Sequence, residues 1–491
     1  MLSSRFWSIL YFCAMLLIGA SYLAWAASGY AMGEPDCLWF LPPAVSQHLG
    51  HGLYNFIHEP SHIFDPAGQN RFLFYPPGFQ LFLSAFLIEP TGLGALLTLA
   101  SLNFLSLFLF AILIYSLLSR ASFTGYKFLL GLLSLLAFST YLGGFRLGRP
   151  DFLATFYILL MIFIQRSTRA PLRAILSALL LGLIAFAHPV AALFTSALLG
   201  LDYAIRHPWK QTLMSLAGIC GGGVAIFLIF MTASPHGWRD SFHGILLHAQ
   251  NTMVDGTHHP FFKYAIMHTY ATCYGLLFFA FLFVSVWMLW KRRRDLVWKR
   301  GVFIFSCVFL LFCYRFVGIA WDRCYNLWVI APVILLALIV GLQKISENHR
   351  KHYAVALAVL LFLCSIGYLH TSLLFPYYLK YGYKYHDARK DFSQFLTENP
   401  LQIIGVSKSL WVLSEDYARM RSFGLNPAHL RSRPDWIVLQ QRYMLVHTSE
   451  PPHFDGYTLV QHHFTSLKPK IFGLQLSSSM PGYFYAVYKK N

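Results

Sequence analysis

Residues 33–79 read GEPDCLWFLPPAVSQHLGHGLYNFIHEPSHIFDPAGQNRFLFYPPGF, and their flanks decide the fold. The apolar run 6–27 precedes them and another, 94–118, follows. Apolar runs of about 17–25 residues are long enough to cross a hydrocarbon core. Residues 28–93 therefore form a long polar loop between two membrane spans. Glu34, Asp36, Glu59 and Asp65 all fall inside it, in a chain that is otherwise mostly lipid-soluble. Glu34 and Asp36 come as the first run ends, which puts two carboxylates at the membrane rim. A carboxylate there is only partly solvated, so its proton affinity can be tuned for acid or base work. An ordinary wet loop could carry the same pair. This one is much longer than a connector needs to be, and it closes on a second punctuated box, Phe74-Tyr75-Pro76-Pro77-Gly78.

The whole chain is consistent with that reading. Of its 491 residues, 57% are apolar, 17% aromatic and only 12% charged, with mean hydropathy +0.52. Soluble domains carry about twice that share of charge, so the fold class is an α-helical polytopic membrane protein. The formal charge of +18 fits basic loops that anchor a membrane protein and meet anionic headgroups. The basic residues are scattered between apolar runs and form no patch, which argues against a nucleic-acid partner. There is no CxxC pair among the eight cysteines, so neither a disulfide framework nor a zinc site is indicated. The run after Arg5 is too long for the core of a cleaved signal and reads as an uncleaved anchor.

Spans are expected near 6–27, 94–118, 127–144, 151–165, 171–187, 189–205, 211–232, 267–290, 300–318, 325–343 and 353–373, about eleven in all. Phe79–Ile88 is too short to cross and reads as a re-entrant or surface helix. The basic clusters Arg120/Lys127, Arg166/Arg169/Arg173, Arg206/Lys210, Lys291–Arg294 with Lys299-Arg300, and Lys344/Arg350/Lys351 then fall on alternate loops. They share a side with the N-terminus, which the positive-inside rule makes cytoplasmic. The long first loop, Arg146–Asp151, the turn at His188-Pro189, the loop Ser234–Lys263, Gly318–Asn326 and the C-terminal tail lie on the other side. After Phe375 the short apolar runs Gln402–Val406, Trp436–Gln440, Tyr457–Val460 and Tyr483–Tyr488 alternate with polar residues. The expected division is thus a transmembrane catalytic domain over 1–375 and a small extracytoplasmic α/β domain over 376–491.

Three further boxes share the outer side with Glu34 and Asp36. In Arg146-Leu147-Gly148-Arg149-Pro150-Asp151, the proline suits a helix start and sets Asp151 in the first turn, where the dipole favours its charge. Asp151 could merely cap that helix. Alternatively Arg146 and Arg149 could grip a phosphate or diphosphate, with Asp151 orienting them or a sugar hydroxyl. Trp321-Asp322-Arg323-Cys324-Tyr325-Asn326 begins a span, where Arg323 and Tyr325 serve either as interface anchors or as holders of a lipid phosphate. His188-Pro189 breaks two apolar runs, and a lone histidine there is more often structural than catalytic. Glu34 and Asp36, with His58 and His62 near in sequence, could bind a divalent ion, although two carboxylates are a thin ligand set. The histidines 236, 243, 248, 258, 259 and 268 suggest metal weakly and suit contact with a polar acceptor better.

Taken together and in this order, Asp36, the Leu49–Tyr54 stretch, the Phe74–Gly78 box, Arg149-Pro150-Asp151, the His188 break and Arg323/Tyr325 resemble the GT-C superfamily of integral-membrane glycosyltransferases. The first loop is most similar to the polyprenol-phosphate-mannose-dependent mannosyltransferases. The Arg-Pro-Asp box is more similar to the protein-mannosyltransferase and aminoarabinose-transferase branch. The resemblance implies a polyprenyl-phosphate-linked sugar donor, a lipid, glycan or protein acceptor, and inversion at the anomeric carbon. It also implies a general base at Asp36, with Glu34, Tyr75, Arg146, Arg149, Asp151, His188, Arg323 and Tyr325 as substrate-binding residues. The implied location is a bacterial inner membrane, with the active face extracytoplasmic. A polytopic transporter or flippase is the rival, disfavoured because ionisable residues within the spans are nearly absent.

Overall fold

A computed structural model of the chain describes residues 3–28, 37–55, 71–73, 75–119, 122–143, 149–167, 170–254, 331–344, 347–381, 385–406, 420–422, 433–440, 451, 453–464, 470–471, 474–475 and 484–491. The expected spans 267–290 and 300–318, and the start of 325–343, lie outside these residues.

The described helices are α1 (Ser4–Ala27), α2 (Cys37–His48), α3 (Gly78–Phe86), α4 (Gly92–Leu118), α5 (Gly125–Gly143), α6 (Asp151–Ser167), α7 (Ala170–Ala187), α8 (Pro189–Arg206), α9 (Trp209–Thr232), α10 (Trp238–Val254), α11 (Ala331–Lys344), α12 (Glu347–Tyr381) and α13 (Tyr385–Glu398). Among the described residues, five segments are long and apolar enough to cross a membrane: Ser4–Ala27, Gly92–Leu118, Gly125–Leu142, Lys210–Thr232 and His349–Tyr377. Leu172–Ala187, Pro189–Gly200 and Ala331–Gln343 are shorter apolar helices. The helix Gly78–Phe86 stands where a short non-spanning helix was expected.

Two helices depart from the sequence reading. Cys37–His48 is helical with Pro42 and Pro43 inside it. Phe40, Leu41, Ala44 and Val45 are buried, so packing holds the segment helical although two backbone donors are missing. The stretch read as the loop Ser234–Lys263 contains α10. Its first turn carries Asp240, on the favourable side of the helix dipole, and no proline interrupts residues 238–254.

Caps and small residues set how the long helices meet. The Thr91 hydroxyl accepts from Gly94 N at 3.0 Å and starts α4. Helices α7 and α9 pack through glycines: a Cβ on Gly182 would stand 2.6 Å from Ile226 Cγ2, and one on Gly223 3.1 Å from Leu181. Apolar lipid offers helices little hydrophobic reason to associate, so close contact of small residues does that work.

The helix ends sort onto two sides of the bundle. At one, Phe123 N donates to Ser4 Oγ at 3.1 Å and Gln343 Nε2 donates to Leu117 O, joining the start of α1, the end of α4 and the end of α11. At the other, the Thr98 hydroxyl donates to Phe86 O at 3.2 Å, tying the start of α4 to the end of α3. Tyr141 and Thr155 share a 2.8 Å hydroxyl contact between the end of α5 and the start of α6. The start of α6, the end of α7 and the start of α8 thus fall together with the first loop.

Beyond α13 the chain forms a five-stranded sheet in the order β2-β1-β3-β7-β4, from β1 (Ile404–Val406), β2 (Met420–Ser422), β3 (Trp436–Gln440), β4 (Tyr457–Phe464) and β7 (Phe484–Lys490). A two-residue pair, β5 (Lys470–Ile471) and β6 (Leu474–Gln475), stands apart. Strand β1 runs parallel to β2 and β3, while β7 is antiparallel to β3 and β4. Of the four short apolar runs noted after Phe375, Trp436–Gln440 is β3, and the others overlap β1, β4 and β7. Phe395 of α13 meets Trp436 of β3 edge to face at 5.3 Å.

Candidate functional site

Four of the expected substrate-binding residues come together where α6 and α8 begin. Pro150 accepts the first helical bond of α6 through its carbonyl, from Ala154 N at 3.1 Å, and Asp151 opens the helix. The Asp151 side chain does not turn back to cap its own helix. Its Oδ2 accepts from Arg149 Nε at 2.7 Å, and its Oδ1 lies 3.3 Å from His188 Nε2. Side-chain exposure is 6% for Asp151, 13% for Arg149 and 1% for His188, so this is a dry ionic cluster.

His188 is held from the other side. Its backbone is extended (φ −156°, ψ 93°), because Pro189 disfavours helix at the preceding residue. In that conformation the residue becomes the N-cap of α8, and Nδ1 accepts from Ala191 N at 3.2 Å. A nitrogen that accepts from a backbone amide carries a lone pair, so the ring proton of the neutral imidazole sits on Nε2, facing Asp151.

The first-loop box supplies the fourth member. Tyr75 meets the His188 ring edge to face at 5.7 Å and the Phe40 ring of α2 at 5.6 Å. Gly78 explains how the box comes so close. A Cβ there would lie 2.6 Å from the carbonyl oxygen of Phe186, two residues before His188. Only hydrogen fits, so the start of α3 rests directly on the end of α7.

A second set of contacts fastens the first loop to the segment after α9. His236 Nε2 lies 2.8 Å from Leu53 O, and its ring meets Tyr54 at 5.3 Å. Arg71 donates to Asp240 at 2.6 Å. Gly244 of α10 sits against the Leu73 carbonyl, where a Cβ would approach to 2.5 Å. The sequence flagged His236 only as one of several histidines. The Arg71–Asp240 pair left no signal, because charges separated by most of the fold share no local pattern.

Glu34, Asp36, Arg146, Arg323 and Tyr325 lie outside the described residues, as do His58, His62, His258, His259 and His268. The expected divalent-ion pair, Glu34 with Asp36, is therefore outside them too. Among the described residues no three His, Cys, Asp or Glu side chains are grouped to hold a metal ion.

Chemically, the anchored Nε fixes the plane of the Arg149 guanidinium. A guanidinium so held suits the oxygens of a phosphate.

The profile of glycosyltransferase family 87 matches residues 72–313, a segment that includes Tyr75, Arg149, Asp151 and His188. No curated protein matches the chain. Among solved structures, the chain is similar to the Archaeoglobus fulgidus oligosaccharyltransferase in its complex with Zn and sulfate. That likeness has 14% identity and a TM-score of 0.39 over 84% of this chain and 62% of that one. The apo form of the same enzyme gives 12% identity and a TM-score of 0.41 over 85% of this chain and 65% of that one. The chain thus spans less than two thirds of the length of either structure.

Proposed function

We propose that this chain is a GT-C-type membrane glycosyltransferase that moves a sugar, a hexose such as mannose, from a polyprenyl-phosphate donor to a lipid, glycan or protein acceptor. The observation that carries the reading is the buried Arg149–Asp151 pair, joined through His188 to the first-loop Tyr75 within the segment matched by glycosyltransferase family 87.

The reaction is a single displacement. The acceptor hydroxyl attacks the anomeric carbon, its proton passes to a carboxylate, and the bond from that carbon to the phosphate oxygen breaks with inversion. Asp36 is the base, with Glu34 as helper. Asp36 stands one residue before α2, whose Phe40 ring meets Tyr75. The leaving group departs as a stable phosphate anion and needs no general acid. Cationic donors that stabilise the developing charge suffice, and Arg149, Arg146 and Arg323 are assigned that role. The acceptor enters across the loop–α10 face carrying Tyr54 and His236. The reading includes about eleven spans, a bacterial inner membrane, a cytoplasmic N-terminus and an extracytoplasmic domain from residue 376.

The test is turnover in reconstituted vesicles, with a panel of synthetic polyprenyl-phosphate sugars as donors. Asp36→Asn should lose about 10²- to 10⁴-fold in rate, the usual contribution of a general base, and Glu34→Gln should lose less. Near-normal turnover in Asp36→Asn would remove the base assignment, and a dead Glu34→Gln would move the role two residues upstream.

A further inference from the structure

We propose that His188 is a positioning residue: through Asp151 it sets the plane in which the Arg149 guanidinium receives the donor's phosphate. The inference rests on the phosphate role given to Arg149 above and adds what holds that group in place.

Three observations carry it. First, His188 is 1% exposed, so the ring is closed to a substrate and acts only through its neighbours. Second, its two nitrogens have separate duties. Nδ1 accepts the α8 cap from Ala191, and that fixes the proton on Nε2, 3.3 Å from Asp151 Oδ1. Nε2 is buried, and among the described residues the polar group it faces is the Asp151 carboxylate, a 3.3 Å charge contact that is not an aligned hydrogen bond. Third, Asp151 divides its oxygens: Oδ1 faces the histidine and Oδ2 takes Arg149 Nε at 2.7 Å. A buried carboxylate with an imidazole packed against one oxygen has less room to rotate, and the arginine anchored on the other oxygen shares that restriction. Tyr75, edge-on to the ring at 5.7 Å, limits its rocking. A histidine needed only to start a helix would gain nothing from facing a buried carboxylate, since Ser, Thr, Asn or Asp caps as well or better.

The two duties separate by substitution. Asparagine at 188 places a polar atom where Nδ1 is and keeps the cap, but it stops short of Asp151. Glutamine places its amide where Nε2 is and reaches Asp151, but it caps poorly. The full-length His188→Asn, His188→Gln and Arg149→Ala proteins would be compared with wild type in detergent. Binding of a short-chain polyprenyl phosphate and thermal unfolding would be read on each. His188→Asn should bind the probe roughly tenfold more weakly than wild type, the low end of what outer-shell positioning partners contribute, and should melt above His188→Gln. His188→Gln should bind several-fold more tightly than His188→Asn despite melting lower.

If affinity follows melting temperature across the pair, or if His188→Asn binds like wild type, His188 is only a cap and the inference falls while the function stands. If Arg149→Ala also binds the probe like wild type, the phosphate role itself is wrong and the inference goes with it.

Discussion

Arg149 and Asp151 leave water together, and stranding one of them costs more than removing both. Replacing one partner of a buried pair destabilises by about 3–5 kcal/mol, whereas replacing both by apolar residues of similar size is often neutral. Asp151→Leu alone is therefore expected to lower the melting temperature more than the Arg149→Met/Asp151→Leu double variant does. A double variant at least as unstable as the single would mean that the two charges do not depend on each other. Donor affinity should fall in both, because neither retains the anchored guanidinium. A direct charge-assisted contact contributes roughly 1.5–3 kcal/mol, so Arg149→Ala should weaken polyprenyl phosphate binding about ten- to a hundredfold in a titration. At this scale the sequence was partly legible. Proline at 150 and 189 interrupts apolar runs and marks Asp151 and His188 as helix starts. That the two starts face each other could not be read, because contacts between helices leave no trace in a single chain's spacing.

Among the elements, α3 depends on the fit of Gly78 against Phe186. Ala at 78 would push a methyl to 2.6 Å from a carbonyl oxygen that cannot move without disturbing the end of α7. Overpacking of this kind costs about 1–3 kcal/mol. Gly78→Ala should lower both the melting temperature and donor binding, since the displaced ends carry Tyr75 and His188. A stable variant with normal binding would show that α3 can shift freely. Asp240→Asn is the contrasting case. Asp240 is half exposed, so its pair with Arg71 should contribute no more than about 1 kcal/mol, and unfolding by heat should barely register its loss. The apolar helices were legible because long runs of Leu, Phe and Ile admit few other folds. Helix α2 was not, because Pro42 and Pro43 read locally as breakers and only burial of Phe40, Leu41 and Val45 outweighs them. Helix α10 was hidden by its polar, histidine-bearing composition, which reads as loop.

For the whole molecule, the proposed topology rests on the basic loops alternating along the sequence. Reporter fusions after Arg294 and after Tyr385 should fall on opposite sides of the membrane. Finding both on one side would overturn the alternation and with it the proposed extracytoplasmic placement of the sheet. The cluster at the start of α6 has one further consequence, which concerns the order in which the chain is made. Tyr75, Arg149, Asp151, His188 and the Ala191 amide that fixes the ring leave the ribosome in that order. The contacts described above within the cluster all join residues between 75 and 191. The nascent protein can therefore make these contacts while more than half of its length is still unmade, ahead of the later helices and the sheet.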